Sequence, residues 1–299
     1  MQMTDNLRGA ALMMASMAAF TINDTCIKAI GGDMPLFQIL TLRGLGAVVL
    51  IYALARHCGA LRVRLPRRDW ALIGLRSAAE AAAAYFFLTA LINMPLANVT
   101  AVLQMLPLTV TLGAALVLGE PVGWRRMLAI LIGFGGMLLI VRPGPEGFDT
   151  HALFALAAVG CVTVRDLSVR RMSARVPSML VTLSASVAVL VFAAVLSLTE
   201  DWTPVSGRSA ALLAGSVLFV FFGYLFSVLV MRSAEVSFTA PFRYTGLLCA
   251  LVLGWLVFDH WPDPLTLLGA AIVVGSGLFA LWRERAATRG ARAAMRPGS

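Results

Sequence analysis

The amino-acid sequence predicts an all-α membrane protein of ten transmembrane helices, arranged as two inverted five-helix repeats. Three observations lead to this fold class. The composition is too apolar for a soluble domain, the apolar residues fall into ten segments long enough to cross a bilayer, and landmarks of the first half recur in the second half.

The composition by itself argues against a soluble fold. Of the 299 residues, 60% are apolar and 13% are charged, and the mean hydropathy is +0.86. Soluble domains carry about 25% charged residues, and a single soluble core stops growing near roughly 250–300 residues. The surface of this chain therefore requires lipid as its solvent, and the lipid bilayer is its first expected partner.

Ten apolar segments follow one another along the chain, each of roughly 20 residues, the length that crosses a hydrocarbon core as a helix. Proline and glycine stand between them, as is typical of helix boundaries. The first segment is too long for the apolar region of a signal peptide, so we interpret it as a span. The predicted spans, numbered 1 to 10, are residues 8–30, 35–56, 69–92, 95–118, 122–141, 151–171, 177–198, 207–232, 235–258 and 262–283.

Basic residues predict how the spans are oriented. With the amino terminus inside, arginines are concentrated in the inner loops, at residues 56–68 and 170–175, and in a basic tail at 284–299. Cytoplasmic loops retain such residues, so we expect both termini in the cytoplasm and the chain in a bacterial-type inner membrane. Because the net charge of +9 forms no continuous stripe, no nucleic-acid partner is expected.

Cysteine and histidine patterns give no sign of a metal or a cofactor. The four cysteines lack paired spacing, and no phosphate-binding glycine-rich motif is present. The three histidines, His57, His151 and His260, each stand alone at the end of a predicted span. We therefore expect no disulfide, metal or cofactor, and a membrane enzyme is the less favoured class.

The two halves share an order of landmarks. At a shift of 142 residues, Asn23-Asp24 lies over Arg165-Asp166, and at a shift of 139 residues, Gln104 lies over Arg243. Because each half has an odd number of spans, the copies face the membrane in opposite senses, which is an architecture of secondary transporters. The predicted units are 8–141 for spans 1–5, 151–283 for spans 6–10, and the cytoplasmic tail 284–299.

Several short motifs occur in a set order along the chain. They are Tyr85-Phe86-Phe87-Leu88-Thr89-Ala90-Leu91, Leu106-Pro107-Leu108, Leu118-Gly119-Glu120, Ala240-Pro241-Phe242-Arg243-Tyr244 and Val257-Phe258-Asp259. In this order they resemble the drug/metabolite transporter superfamily, in its ten-helix form with two EamA domains. Within it, Asn23-Asp24 with Lys28 and the motif around Arg243 are similar to carriers of S-adenosylmethionine, riboflavin or amino acids. This resemblance implies a substrate size class.

Seven ionisable residues fall inside the predicted spans, where each costs at least about 2.5–3.5 kcal/mol unless it is paired or hydrated. Arg76 and Glu80 are four residues apart on span 3, so their side chains can meet on one face. They are either a structural pair inside the bundle or substrate-binding groups of the cavity, with Glu80 able to take a proton. The complete set is Asp24, Arg43, Arg76, Glu80, Arg165, Asp166 and Arg243.

Arg243 and Tyr244 are the strongest predicted substrate contacts. Pro241 lacks an amide hydrogen and disturbs the helix of span 9, which exposes backbone groups that only a cavity or a ligand can satisfy. The adjacent guanidinium suits a carboxylate or a phosphate. The alternative is a structural ion pair of Arg243 with Asp24 or Glu80.

Gln104 and Tyr85 complete the predicted substrate-binding set. Gln104 occupies the position in span 4 that matches Arg243 in span 9, so it would present a neutral amide to the substrate cavity. Tyr85 can stack on a flat ligand, although aromatic residues in a membrane bundle more often serve packing or the interface belts.

Asn23-Asp24 and Arg165-Asp166 are predicted to gate or couple transport. Spans 1 and 6 cross in opposite directions, so the first pair lies in the outer part of the membrane and the second in the inner part. Gates on either side of a central site require this arrangement. The alternative is that Arg165 extends to the inner interface beside Arg170-Arg171.

The sequence thus predicts a secondary transporter of a small organic metabolite, amino-acid-like or vitamin/nucleoside-like, that works by alternating access. The alternatives are a polytopic membrane enzyme, an efflux carrier of a different substrate and a channel. Protons can serve as the coupling ion. Glycines in spans 5 and 10, among them Gly136 and Gly269, permit close helix packing or a homodimer face.

Overall fold

The computed structural model describes residues 3–57, 59, 63–120, 122–142, 150–173, 175–233 and 239–294. Within these ranges the chain forms helices joined by short loops. Eight spans are single helices: Met3–Ile30 (span 1), Leu36–His57 (2), Arg67–Asn93 (3), Trp124–Val141 (5), Thr150–Arg171 (6), Ser178–Ser197 (7), Gly207–Ser233 (8) and Pro264–Ala294 (10). Span 4 is Leu96–Leu103 followed by Leu106–Leu118, and span 9 is a 3-10 helix, Ala240–Tyr244, followed by Thr245–Phe258.

The length and apolarity of the helices confirm the predicted fold class. In the described part of the chain, 9 helices are long and apolar enough to cross a bilayer, and span 5 contributes a shorter apolar stretch, Met127–Val141. The start of predicted span 9, at residues 235–238, lies outside the described residues. The helix of span 10 continues to Ala294, so most of the predicted tail prolongs this helix.

Helix boundaries lie where the proline and glycine pattern predicts them. Pro66, Pro95 and Pro177 stand immediately before the helices of spans 3, 4 and 7. Proline favours these positions because it cannot donate a backbone hydrogen bond to a preceding turn. Asp263 caps span 10, since its carboxylate accepts the backbone N–H groups of Leu265 (2.9 Å) and Thr266 (3.2 Å).

Packing between the two halves is symmetric. Span 1 packs along span 8, and its repeat counterpart, span 6, packs along span 3 in the same way. Spans 2 and 7 pack on each other, as do spans 5 and 10, which are also counterparts. Exchanging the halves therefore reproduces the pattern of contacts, as expected of two inverted repeats.

The apolar core lies where spans of both halves meet. Ile27, Ile39, Leu91 and Val99 are fully buried there. Large apolar side chains also cover the outside of the bundle, as at Leu116, which is 77% exposed. Such an outer surface suits hydrocarbon, because lipid does not penalise apolar exposure.

Lys28 connects the carboxyl-terminal ends of spans 1 and 3. It lies in the last turn of span 1, and its ammonium group donates to the carbonyl oxygens of Leu91 (2.8 Å), Ile92 (3.3 Å) and Met94 (2.7 Å). These carbonyls belong to the end of span 3, where backbone acceptors lack intrahelical partners. Lys28 therefore has a structural role in joining the two helices.

The two broken spans are interrupted at matching positions. The helix of span 4 stops at Leu103 and restarts at Leu106, and span 9 runs as a 3-10 helix up to Tyr244. The disturbance predicted at Pro241 is confirmed. The break in span 4 was not predicted, although Pro107 at the second residue of the restarted helix is the corresponding signal.

Spans 5 and 10 approach each other through glycine. A Cβ atom added to Gly269 would lie 2.6 Å from the carbonyl oxygen of Gly136, and one added to Gly136 would lie 2.9 Å from the carbonyl oxygen of Gly269. Both distances are too short for a real side chain, so the two backbones are in direct contact. The close helix packing that these glycines permit is therefore observed between spans 5 and 10 of the same chain.

Substituting Gly269 by Ala should destabilise the protein by about 1–3 kcal/mol, because the added methyl group meets rigid backbone. Gly275→Ala is the matched control on the same helix, since nothing lies within 4 Å of a Cβ atom there. The midpoint of thermal unfolding, measured in detergent, should fall for Gly269→Ala only. Equal midpoints for the two variants would contradict the close contact.

Candidate functional site

Charged residues of spans 3 and 6 gather around Glu80, near the middle of span 3. Its carboxylate faces Arg76 of the same helix, with 3.6 Å between Nη2 and Oε2, and Arg165 of span 6, with 3.3 Å between Nη1 and Oε2. The side chains are largely buried, at 12% exposure for Arg76, 15% for Glu80 and 22% for Arg165. One carboxylate thus serves two guanidinium groups on helices of different halves.

Arg165 also bonds to its chain neighbour. Its Nε donates to Oδ1 of Asp166 at 2.9 Å, so the guanidinium has two acidic partners. Arg76 additionally approaches the carbonyl oxygen of Val181 on span 7 at 3.5 Å. We call Arg76, Glu80, Arg165 and Asp166 the inner quartet. Its two positive and two negative charges compensate each other within the bundle.

The predicted pair of Arg76 and Glu80 is confirmed as a contact, and Arg165 is a third member that the spacing did not predict. Arg165 is turned toward Glu80 and Asp166, so its position inside the bundle is explained by pairing. The roles in substrate binding and gating assigned to these residues stay predictions.

A second polar group lies between spans 1, 2 and 8. The Asn23 side chain, 2% exposed, donates from Nδ2 to Oδ1 of Asp24 at 2.9 Å. Its Oδ1 accepts from Nε of Arg43 (3.1 Å) and from the hydroxyl of the fully buried Ser216 (2.7 Å). We call Asn23, Asp24, Arg43 and Ser216 the outer quartet.

Residues of the two quartets interact electrostatically with one another. Arg43 interacts electrostatically with Asp24, Glu80 and Tyr224. Tyr224 in turn lies in the field of both quartets, and its ring contacts Phe20 edge-on at 5.3 Å between centroids. Together the two quartets contain three cationic residues, Arg43, Arg76 and Arg165, and three acidic residues, Asp24, Glu80 and Asp166.

Tyr85 belongs to an aromatic cluster. Its ring stacks on Phe37 of span 2 at 5.7 Å and contacts Phe154 of span 6 at 5.9 Å and Phe192 of span 7 at 6.5 Å. The packing alternative accounts for these contacts, and stacking on a ligand stays a prediction.

Among the described residues, no hydrogen bond or ion pair joins the predicted contacts on spans 4 and 9 to the two quartets. Arg243 is exposed and, among the residues that the structure describes, forms no ion pair, so the proposed pairing with Asp24 or Glu80 is not observed. Tyr244 is 6% exposed, and within the described part of the chain its hydroxyl has no hydrogen-bond partner. Gln104 is 9% exposed and lies at the break in span 4.

Sequence reasoning missed three members of the central arrangement. Arg43 was recognised as an intramembrane charge but given no partner, and Ser216 and Tyr224 were not included among the predicted site residues. Arg43 is bound to a residue 20 positions away and Ser216 to one 193 positions away. A single intramembrane charge was the available signal, since it requires a partner on another helix.

Two five-span units with a symmetric pattern of contacts are an architecture of membrane transporters built from inverted repeats. Comparison with known proteins agrees with this class. The EamA-like transporter family matches residues 7–142 and 150–282. The chain belongs to this family, and the resemblance to the drug/metabolite transporter superfamily is confirmed.

Several relatives match over most of the chain. The S-adenosylmethionine uptake transporter of Rickettsia prowazekii is 24% identical over 290 residues, covering 93% of this chain and 94% of the relative. The pseudopaline exporter CntI of Pseudomonas aeruginosa is 26% identical over 273 residues, covering 90% and 95%. The riboflavin transporter of Vibrio cholerae is 26% identical over 277 residues, covering 91% and 92%.

A solved crystal structure shares the fold. It aligns with a TM-score of 0.60 at 20% sequence identity and covers 99% of this chain and 100% of the other. The family match and the transporter relatives support a multi-pass membrane transporter of a small metabolite, and they favour transport over an enzymatic role.

Replacing Glu80 by Gln should destabilise the protein by at least about 2 kcal/mol, because two buried cations lose their shared counter-ion. The control is Glu120→Gln, which removes the carboxylate of an exposed ion pair with Arg170. In this pair the Glu120 side chain is 50% exposed and the Arg170 side chain is 41% exposed. That change should cost less than about 1 kcal/mol. Thermal unfolding in detergent measures both, and equal losses would contradict the central role of Glu80.

Proposed function

We propose that this protein is a secondary transporter that moves a small organic metabolite across the bacterial inner membrane by alternating access, with both termini in the cytoplasm. Membership of the EamA-like transporter family and the names of the relatives support transport. The distribution of basic residues supports the orientation.

The observation that carries the proposal is the bond between the two halves at Glu80 and Arg165, 3.3 Å long and largely buried. Glu80 belongs to the first repeat and Arg165 to the second. A path that opens toward the inner side between spans 3 and 6 must separate these two groups. Separated charges in the bundle are costly unless water or a substrate replaces the lost partner. Opening of this path therefore depends on whether water or a substrate takes the place of the lost partner.

The outer quartet occupies the corresponding place on the other side. Asn23 joins span 1 to span 2 through Arg43 and to span 8 through Ser216. Movement of span 8 away from span 1 requires the loss of the bond between Ser216 and Asn23. The predicted gating groups thus lie on interfaces that alternating access would have to open in turn.

Reconstitution into liposomes tests the proposed function. We expect accumulation of at least one radiolabelled compound from a panel of amino acids, riboflavin and S-adenosylmethionine, compared with protein-free liposomes. An imposed pH gradient shows whether protons are the coupling ion, with Asp24, Glu80 and Asp166 as the groups that would carry them. Lack of flux for every compound, with folded protein in the liposomes, would count against this function.

Glu80→Gln should lower the flux of the transported compound at least tenfold, because the bond between the halves is altered. The flux is normalised to the amount of folded protein, and Glu120→Gln is again the control. Unchanged flux and unchanged pH dependence would remove Glu80 from the mechanism.

Arg243→Ala tests the predicted substrate contact on span 9. Because Arg243 is exposed and forms no ion pair with the described residues, its loss should leave the unfolding midpoint unchanged. If Arg243 binds an anionic group of the substrate, affinity should fall at least tenfold, measured by equilibrium binding of the transported compound. Wild-type affinity in this variant would exclude Arg243 from the binding site.

A further inference from the structure

The three central arginines differ in what their charges are paired with. Arg165 has two carboxylate partners, Glu80 and Asp166, and Arg76 has one, Glu80. Arg43 forms no ion pair among the described residues, and its bond to Asn23 uses Nε only. The two terminal nitrogens of the Arg43 guanidinium thus have no protein acceptor within the described part of the chain. These are the nitrogens that bind a carboxylate in a forked geometry.

Asp24 is the matching anion. Its Oδ1 accepts from Asn23, and among the described residues it forms no ion pair with a cation. Arg43 acts on Asp24 through its electrostatic field without direct contact. The outer quartet therefore contains one cation and one anion, side by side and not joined to each other.

Asn23 keeps the two charges apart. Arginine Nε can only donate, so the amide atom that faces Arg43 must be the oxygen, and the NH2 group must face the acceptor Asp24. The buried hydroxyl of Ser216 adds a second donor to the same oxygen, at 2.7 Å. The orientation of the amide is thus determined by its partners, and each charged residue is bound to an end of it.

At the corresponding position of the second repeat, the charged residues pair directly with each other. Arg165 occupies the position that matches Asn23, and Asp166 the position that matches Asp24. There the arginine binds the neighbouring aspartate directly, at 2.9 Å, and Glu80 as well. At equivalent positions, the second repeat thus has charges that pair directly with each other, and the first repeat has a cation and an anion that an amide separates.

We infer that the outer quartet binds a zwitterionic metabolite, with Arg43 holding the carboxylate of the substrate and Asp24 holding its ammonium group. This inference rests on the proposed transport function and narrows its substrate to compounds that carry an amino and a carboxylate group close together. A ligand with both groups neutralises both residues at once. A ligand with only one of them leaves a buried charge unpaired, which is strongly unfavourable.

The structure gives Asn23 and Ser216 a positioning role. Asn23 aligns the guanidinium through Nε, so that its two terminal nitrogens remain available for the ligand. Ser216 supports the same amide from span 8, so ligand binding is linked to the contact between spans 1 and 8.

Binding to the purified full-length protein tests the inference. The probes are the standard amino acids and S-adenosylmethionine, and for each zwitterion that binds, the matching amine without the carboxylate and the matching acid without the amino group. Riboflavin, which has neither group, is the neutral comparison. The wild-type protein should bind at least one zwitterion, at least tenfold more tightly than its amine and its acid.

The variants should lose discrimination selectively. In Arg43→Gln, the zwitterion and its amine should bind equally, while the acid should remain weaker or bind not at all. In Asp24→Asn, the zwitterion and its acid should bind equally. Arg170→Gln, which alters an exposed pair, should retain the discrimination of the wild type. The midpoint of thermal unfolding without ligand shows whether each variant is folded. Arg43→Lys keeps the positive charge but removes the forked pair of terminal nitrogens.

Several results would overturn the inference. They are binding of riboflavin without binding of any zwitterion, no binding of any probe, or wild-type discrimination between zwitterion and amine in both Arg43→Gln and Arg43→Lys. Each of these leaves the proposed transport function standing if liposomes show flux of any compound. Lack of flux for every compound counts against the transport function itself, so the two failures are distinguishable.

Discussion

The carboxylate of Glu80 is the group on which the centre of the bundle depends. Hydrocarbon cannot solvate a charge, so every guanidinium between the spans needs an acceptor from the protein or from a ligand. Glu80 supplies one to Arg76 on its own helix and one to Arg165 on a helix of the other repeat. The bond between Glu80 and Arg165 therefore both joins spans 3 and 6 and compensates the charge of Arg165.

The inverted repeat explains why polar groups occur at equivalent positions of spans 1 and 6, and the divergence of the repeat explains why they differ. Spans 1 and 6 take equivalent positions, each packed along a span of the opposite half. An arginine at position 165 closes its site by binding Asp166 and Glu80, whereas an asparagine at position 23 holds Arg43 and Asp24 apart. A symmetric fold thus contains two chemically different groups of polar residues.

Much of the architecture follows from local sequence. The helix boundaries at Pro66, Pro95 and Pro177 lie where predicted, because proline acts on its own turn. The contact of Arg76 with Glu80 was also predictable, since four residues bring side chains to one helix face. The bonds of Asn23 with Arg43 and of Glu80 with Arg165 were not, because they join residues 20 and 85 positions apart on separate helices.

The sequence by itself determined the ten apolar segments, their division into two opposed units and the residues that carry charge inside them. Hydropathy and helix geometry act over about 20 neighbouring residues, and a sequence contains that information directly. Only the tertiary structure decided which charges meet, because this depends on how each helix is rotated and which helix lies beside it. This arrangement distinguishes Arg165, which is paired with Glu80 and Asp166, from Arg43, whose terminal nitrogens have no acceptor among the described residues.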